Sequence, residues 1–281
     1  MDVTAFEEIV YDKDEATGIV TVTLSNPGIK NAMTFGMLLE LYWAVEMMEN
    51  DNTALAMILT GAKPDGTDDP AKEAFSSGGY FNMSYMEKMD EEKKKQIDIT
   101  DIAQKKLCLK MWQFDKPVIA AINGLAIGGG FTMPLACADL IYMSEHAWAR
   151  LPFVKLGVTP ELASSYLLPR LLGLHRAKEI LFFGETLSAQ RLFDLGVINK
   201  VLPHDDLLPH ARKIALQLIP PDGAGLSVKL TKRALNQPLI AAVTETLDRE
   251  NEYLNNVFST ADFFEALAAR KEKRSPVFTG K

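Results

Sequence analysis

Short apolar runs bounded by turn residues fill the first half of the chain, and helical periodicity dominates the second. Residues 7–11 (EEIVY) and 18–24 (GIVTVTL) predict two strands joined by a polar, glycine-containing turn. The loop 26–31 (NPGIKN) carries two breakers. Thr34 then opens a helix in which Met37, Leu38, Leu41, Ala44, Val45 and Met48 recur at helical spacing, closed by Asn50-Asp51-Asn52. A buried strand follows over 54–60 (ALAMILT), and a polar segment with Pro64, Gly66 and Pro70 predicts an exposed loop over 61–74. A helix over 102–112 leads into a strand at 118–122, with further short strands at 140–143 and 147–151. Beyond Thr159-Pro160 the apolar residues fall at helical spacing over 166–172, 177–183, 189–193, 207–218, 239–258 and 262–274, interrupted by one strand at 197–202. Strands alternating with helices, followed by helices alone, predict an α/β core with a C-terminal helical region, divided here into 1–203 and 204–281. No tandem repeat has a fixed period.

One stretch organises the rest: VIAAINGLAIGGGFTMPLACAD, residues 118–139. A β-branched run is turned by Asn123-Gly124, and Gly128-Gly129-Gly130 precedes a helix of small residues. The first four amides of a helix have no internal partner, the helix dipole adds partial positive charge there, and glycine lets a ligand approach the backbone. Such a site suits an anion, or an oxygen that becomes one. A dinucleotide fingerprint does not fit the spacing GLAIGGG, and Gly130-Phe131 stands where a phosphate loop needs Lys-Ser/Thr. Tight packing of helix on strand is the plain alternative.

Composition narrows the function classes. The 281 residues are 47% hydrophobic and 24% charged, with a net charge of −7, which argues against a broad nucleic-acid-binding face. No apolar run reaches the roughly 18 residues of a membrane span. The acidic N-terminus lacks a signal or transit pattern and the C-terminus PVFTGK is not a peroxisomal signal, so a cytoplasmic protein is expected. Cys108 and Cys137 lie in apolar segments and read as core thiols of a reducing compartment. The four histidines show no metal-ligand spacing. Met83, Met86 and Met89 suit either a greasy channel or, more commonly, helix packing, and 91–95 is a charge run on a solvated face.

Three segments together resemble the crotonase (enoyl-CoA hydratase/isomerase) superfamily: FSSGGYF at 75–81, KPVIAAINGLAIGGG at 116–130 and AKEILFFGETLSAQRLFDLGVINKV at 177–201. The likeness extends from about Glu7 to Phe278. It implies a spiral of ββα units with a C-terminal helical region, acyl-CoA thioester substrates, no metal or redox cofactor (CoA being part of the substrate), and a homotrimer or dimer of trimers. By resemblance, the backbone N–H groups of Gly79 and Gly129 would form an oxyanion hole for the thioester carbonyl. Tyr80 departs from the acidic residue usual after the first of them. Hydratases of the family use two glutamates, at positions held here by Thr132 and Phe153, so water addition by that pair is not expected.

Residues 159–165, TPELASS, are instead similar to the Pro-Glu-x-x-Ser-Ser segment of Δ3,Δ2-enoyl-CoA isomerases, which makes Glu161 the expected single proton shuttle. Leu162-Ala163 replaces the glycine-containing pair frequent there. Without the resemblance, Thr159-Pro160-Glu161 equally well starts an ordinary helix, with the carboxylate in its first turn. An apolar wall would raise the pKa of Glu161 and a helix N-terminus would lower it. Phe81, Met83, Phe131, Thr132, Phe153 and Leu162 are the expected acyl-pocket residues. CoA contacts are expected from the loop at 27–32, with Lys30 toward the phosphates, and from the backbone near Ser77. The cluster Arg270, Lys271, Lys273 and Arg274 suits a 3′-phosphate or merely a solvated helix end. The expected reaction is the shift of a 3-enoyl-CoA double bond to 2-enoyl-CoA. The alternatives are hydration or another enolate chemistry and, more remotely, non-catalytic acyl-CoA binding.

Overall fold

The computed structural model describes residues 6–80, 84–87, 89–98 and 101–281. Among these residues ten strands form two sheets: β1 (Ile9–Asp14), β2 (Ile19–Leu24), β3 (Ala56–Gly61), β4 (Ala74–Ser76), β5 (Val118–Ile122), β6 (Leu125–Ile127), β7 (Leu140–Ser144), β8 (Trp148–Arg150), β9 (Thr186–Ser188) and β10 (Lys200–Leu202). The larger sheet runs β1-β2-β3-β5-β7-β10, and the smaller runs β4-β6-β8-β9. Successive passes of the chain give one strand to each sheet: β3 then β4, β5 then β6, β7 then β8. Pairing is parallel throughout except at the β1–β2 and β8–β9 edges. The ββα spiral expected from the resemblance is present.

Parallel strands covered on both faces need apolar residues on both. Met57, Leu59, Val118, Ala120 and Ile122 enter the main core, whereas Ala56, Ile58, Ile119 and Ala121 face a second cluster. The helix Leu207–Leu218 closes that second face through Leu207, Ala211 and Ala215. Thr34 caps the helix Phe35–Asn50, accepting from the Met37 N–H at 3.0 Å. Strands β4, β6 and β9 have three residues each, too short for alternation to announce them. The strand expected from residue 197 is paired only over Lys200–Leu202. The helix expected from Thr159 starts instead at Ser164, because Leu162 and Ala163 turn through left-handed conformations with φ of 55° and 56°. No described helix is long and apolar enough to cross a membrane.

Candidate active site

A cavity of about 640 Å³ opens between the smaller sheet, at β6 and β8, and the C-terminal helices. Its first wall is the segment Ser77–Gly79, which the 26–32 loop holds in place. Ser77 N–H donates to the Lys30 carbonyl at 3.0 Å, and Ser77 Oγ donates to the Ile29 carbonyl at 3.1 Å. The buried Asn31 side chain anchors that loop, donating to the Ala62 and Ala74 carbonyls and accepting from the Asn26 N–H. Met33 forms a parallel bridge with Gly79: Met33 N–H donates to the Gly78 carbonyl and Tyr80 N–H to the Met33 carbonyl. In that pattern the N–H of Gly79 points away from Met33, and Gly79 lines the cavity.

The second wall is the start of the helix Gly129–Cys137. Its cap, Gly128, has φ 53° and ψ −124°, a conformation only glycine adopts without strain. Gly129 is the first helical residue, so its N–H has no intrahelical acceptor. The walls touch: a Cβ on Gly130 would meet the Ser76 carbonyl oxygen at 2.3 Å, and one on Gly78 would meet the Ile127 carbonyl oxygen at 2.3 Å. The close approach brings the amides of Gly79 and Gly129 to one cavity.

Glu161 is the one carboxylate among the described residues that line this cavity. Half-buried on its loop, it carries Oε1 to within 2.9 Å of where a Gly129 Cβ would stand, and Met33 Cε lies 2.6 Å from the same point. The turn behind it is built from two left-handed non-glycine residues whose side chains are buried. Ser164 stitches that turn, donating to the Glu161 carbonyl from N–H at 3.0 Å and from Oγ at 2.6 Å. Its far side rests on Glu250 of the helix Ile240–Phe258. The Glu250 carboxylate accepts from Ala163 N–H at 2.7 Å, Ser165 N–H at 3.0 Å and Ser165 Oγ at 2.5 Å. Desolvation pushes the Glu250 pKa up to about 7, against the pull of these donors.

That shift has a sign. A carboxyl raised above its ordinary 4.5 stabilises the fold below that pH and loses the contribution as pH rises through about 7. Between pH 5 and pH 8, urea unfolding should therefore show wild type losing on the order of 2 kcal/mol relative to Glu250→Gln.

Of the residues singled out from the sequence, Lys30, Ser77, Gly79, Gly129, Phe153 and Glu161 line the cavity. Phe131, Thr132 and Leu162 do not: they are at most 1% exposed and lie behind the wall. The Thr132 hydroxyl donates back to the Gly128 carbonyl at 3.3 Å, inside its own helix. Phe81 and Met83 lie outside the described residues. Of the C-terminal basic cluster, Arg270 and Arg274 reach the cavity and Lys271 and Lys273 do not. Arg274 is held there by Glu265, donating to Oε2 at 2.8 Å. Trp148, Val158, Leu254, Phe258 and Ala266 add an apolar lining that sequence reasoning missed, as it missed Met33. Among the described residues no three His, Cys, Asp or Glu side chains are arranged to hold a metal ion.

Comparison with known proteins agrees with this fold. The family model described as enoyl-CoA hydratase/isomerase matches residues 14–281. The short-chain-enoyl-CoA hydratase of Clostridium acetobutylicum is 32% identical over 266 residues, 95% of each chain. The 1,2-epoxyphenylacetyl-CoA isomerase of Escherichia coli is 30% identical over 264 residues, 94% of this chain and 96% of that one. An enoyl-CoA hydratase/isomerase from Pseudoalteromonas atlantica, of known crystal structure, superposes with a TM-score of 0.81 at 28% identity, covering 97% of this chain and all of the other. With its ββα spiral and a match across nearly its whole length, the chain belongs to the crotonase (enoyl-CoA hydratase/isomerase) superfamily.

Proposed function

We propose that the protein is an acyl-CoA isomerase that moves a 3-enoyl double bond to the 2-position with Glu161 as its only acid–base group. The observation that carries this reading is one carboxylate beside Gly129 in the cavity, with apolar Phe153 lining it and Thr132 buried behind its wall; by resemblance these two hold the positions of the hydratase glutamates. Glu161 takes a proton from C2, the N–H groups of Gly79 and Gly129 stabilise the dienolate oxygen, and Glu161 returns the proton at C4. No water is consumed and no second acid is needed. Fixed amide donors suit the step because charge develops on the thioester oxygen in the transition state. Lys30, Arg270 and Arg274 at the cavity are the cations for the CoA phosphates. The C-terminal helical region supplies Arg270 and Arg274 to this set. Exposed Leu171, Leu174, Phe182, Phe183 and Phe193 are the apolar residues that a homotrimer would cover.

Hydration is the second reading, favoured by relatives whose names are hydratases, the Clostridium protein among them. Purified protein incubated separately with 3-hexenoyl-CoA and 2-hexenoyl-CoA separates the two. Growth of 2-enoyl absorbance from the first substrate supports isomerisation. Loss of that absorbance from the second by water addition, with the first untouched, supports hydration. Tight binding without turnover of either would leave an acyl-CoA-binding protein. Thr132→Ala should keep isomerisation within about tenfold of wild type and cost about 1 kcal/mol of stability, since only an internal hydrogen bond is lost. Initial rates and thermal melts check both.

A further inference from the structure

The helix Ser164–Leu172 begins without a side-chain cap of its own, because its N-cap residue is Ala163. Its first amides would be left unsatisfied in the interior. A residue 87 positions away meets the need: Glu250, 4% exposed, accepts from Ala163 N–H, Ser165 N–H and Ser165 Oγ at once. Two features make this more than a packing detail. First, burying a carboxylate is costly unless every lone pair is used, and all three of these bonds go to the one turn that carries Glu161. Second, that turn holds Leu162 and Ala163 at φ of 55° and 56°, conformations that cost L-residues about 1–2 kcal/mol each and persist only when surrounding structure enforces them.

The bonds divide the labour. Ser164 clamps the Glu161 carbonyl from in front, while Glu250 grips Ala163 and Ser165 from behind. If the grip is released, the turn can relax toward ordinary backbone, and the Glu161 carboxylate swings from Gly129. We propose that Glu250 is a positioning residue for the acid–base step, holding Glu161 against Gly129 through the strained Leu162–Ala163 turn. This rests on Glu161 being the base but adds a residue that never touches substrate.

Glu250→Gln tests it. The amide places an NH2 donor against either Ala163 N–H or Ser165 N–H, and two donors cannot bond. The expected result is a fall in kcat of roughly ten- to hundredfold, the scale of a misplacement near 1 Å, with KM and acyl-CoA affinity unchanged. Amide hydrogen exchange should quicken at Ala163 and Ser165 and stay slow in the central strand Val118–Ile122. In the Glu161→Gln background, Glu250→Gln should cost nothing further, because both changes act through one group.

The proposal is overturned by faster exchange at the turn with kcat unchanged, or by an activity loss tracked by exchange in Val118–Ile122, which marks general destabilisation. Should Glu250→Gln fail to fold, Ser165→Ala removes the hydroxyl bond alone and should still lower kcat with KM constant; an unchanged kcat there defeats the idea. Wild type that does not isomerise 3-hexenoyl-CoA defeats the functional reading by itself. Unchanged exchange at Ala163 and Ser165 in folded Glu250→Gln defeats this one by itself.

Discussion

Glu161→Gln should lower kcat for 3-enoyl-CoA isomerisation by about 10²–10⁴, the usual contribution of a positioned general base. Gln keeps the size of the side chain and part of its hydrogen bonding but cannot accept the C2 proton. With one carboxylate serving both ends of the allylic system, no other carboxylate among the described residues of the cavity can take over: Thr132 is buried behind the wall and Phe153 is apolar. Acyl-CoA affinity should change little, because the amides of Gly79 and Gly129 and the cations Lys30, Arg270 and Arg274 remain. Stability should stay within about 0.5 kcal/mol, as for other isosteric changes outside the core. Steady-state kinetics and calorimetric titration with an acyl-CoA check the two halves. A variant that isomerises at the wild-type rate would remove Glu161 from the mechanism.

Gly129→Ala should cost at least about 10² in kcat although it leaves the N–H donor in place. The new methyl group would stand 2.6 Å from Met33 Cε and 2.9 Å from Glu161 Oε1. Both atoms end flexible side chains, so the fold can absorb the intrusion by moving them. The movement removes Glu161 from its station. Alanine also favours a helix over glycine by up to about 1 kcal/mol, so thermal stability should hardly fall. Gly130→Ala should behave in the opposite way. Its Cβ would meet the Ser76 carbonyl oxygen at 2.3 Å and the Ser76 carbonyl carbon at 2.9 Å, backbone atoms that cannot move alone. Overpacking of this kind costs about 1–3 kcal/mol. A melt and a rate for each variant check the contrast; a Gly129→Ala enzyme of full activity would show that the Glu161 position is not critical.

The strand–turn–helix at residues 118–137 was legible because each part has a local cause: a β-branched run, Asn-Gly, and three glycines before small residues. The smaller sheet was not, since β4, β6 and β9 are each too short to show a period. Which side chains face the cavity was also hidden. All nine residues of the Gly129–Cys137 helix are buried, so apolar Phe131 carries no mark of the face it occupies. The chemistry around Glu161 was readable as a residue type and a neighbouring motif, yet its placement depends on a turn that Leu162-Ala163 does not announce. Neither residue favours left-handed backbone. What enforces the turn is Glu250, 87 positions on from Ala163, a distance over which no local pattern operates. The basic cluster shows the intermediate case. Arg270 lies in the last turn of the helix Ala261–Glu272 and Arg274 beyond its left-handed end at Lys273, and both reach the cavity, whereas Lys271 and Lys273 do not.

Mass analysis of the first product formed from 3-hexenoyl-CoA in ¹⁸O-labelled water tests the single-carboxylate isomerase most directly. The account predicts 2-hexenoyl-CoA of the same mass as the substrate, carrying no ¹⁸O, and no such product from Glu161→Gln on the same time scale. A first product heavier by one molecule of labelled water, or equal formation of 2-hexenoyl-CoA by wild type and Glu161→Gln, would contradict it.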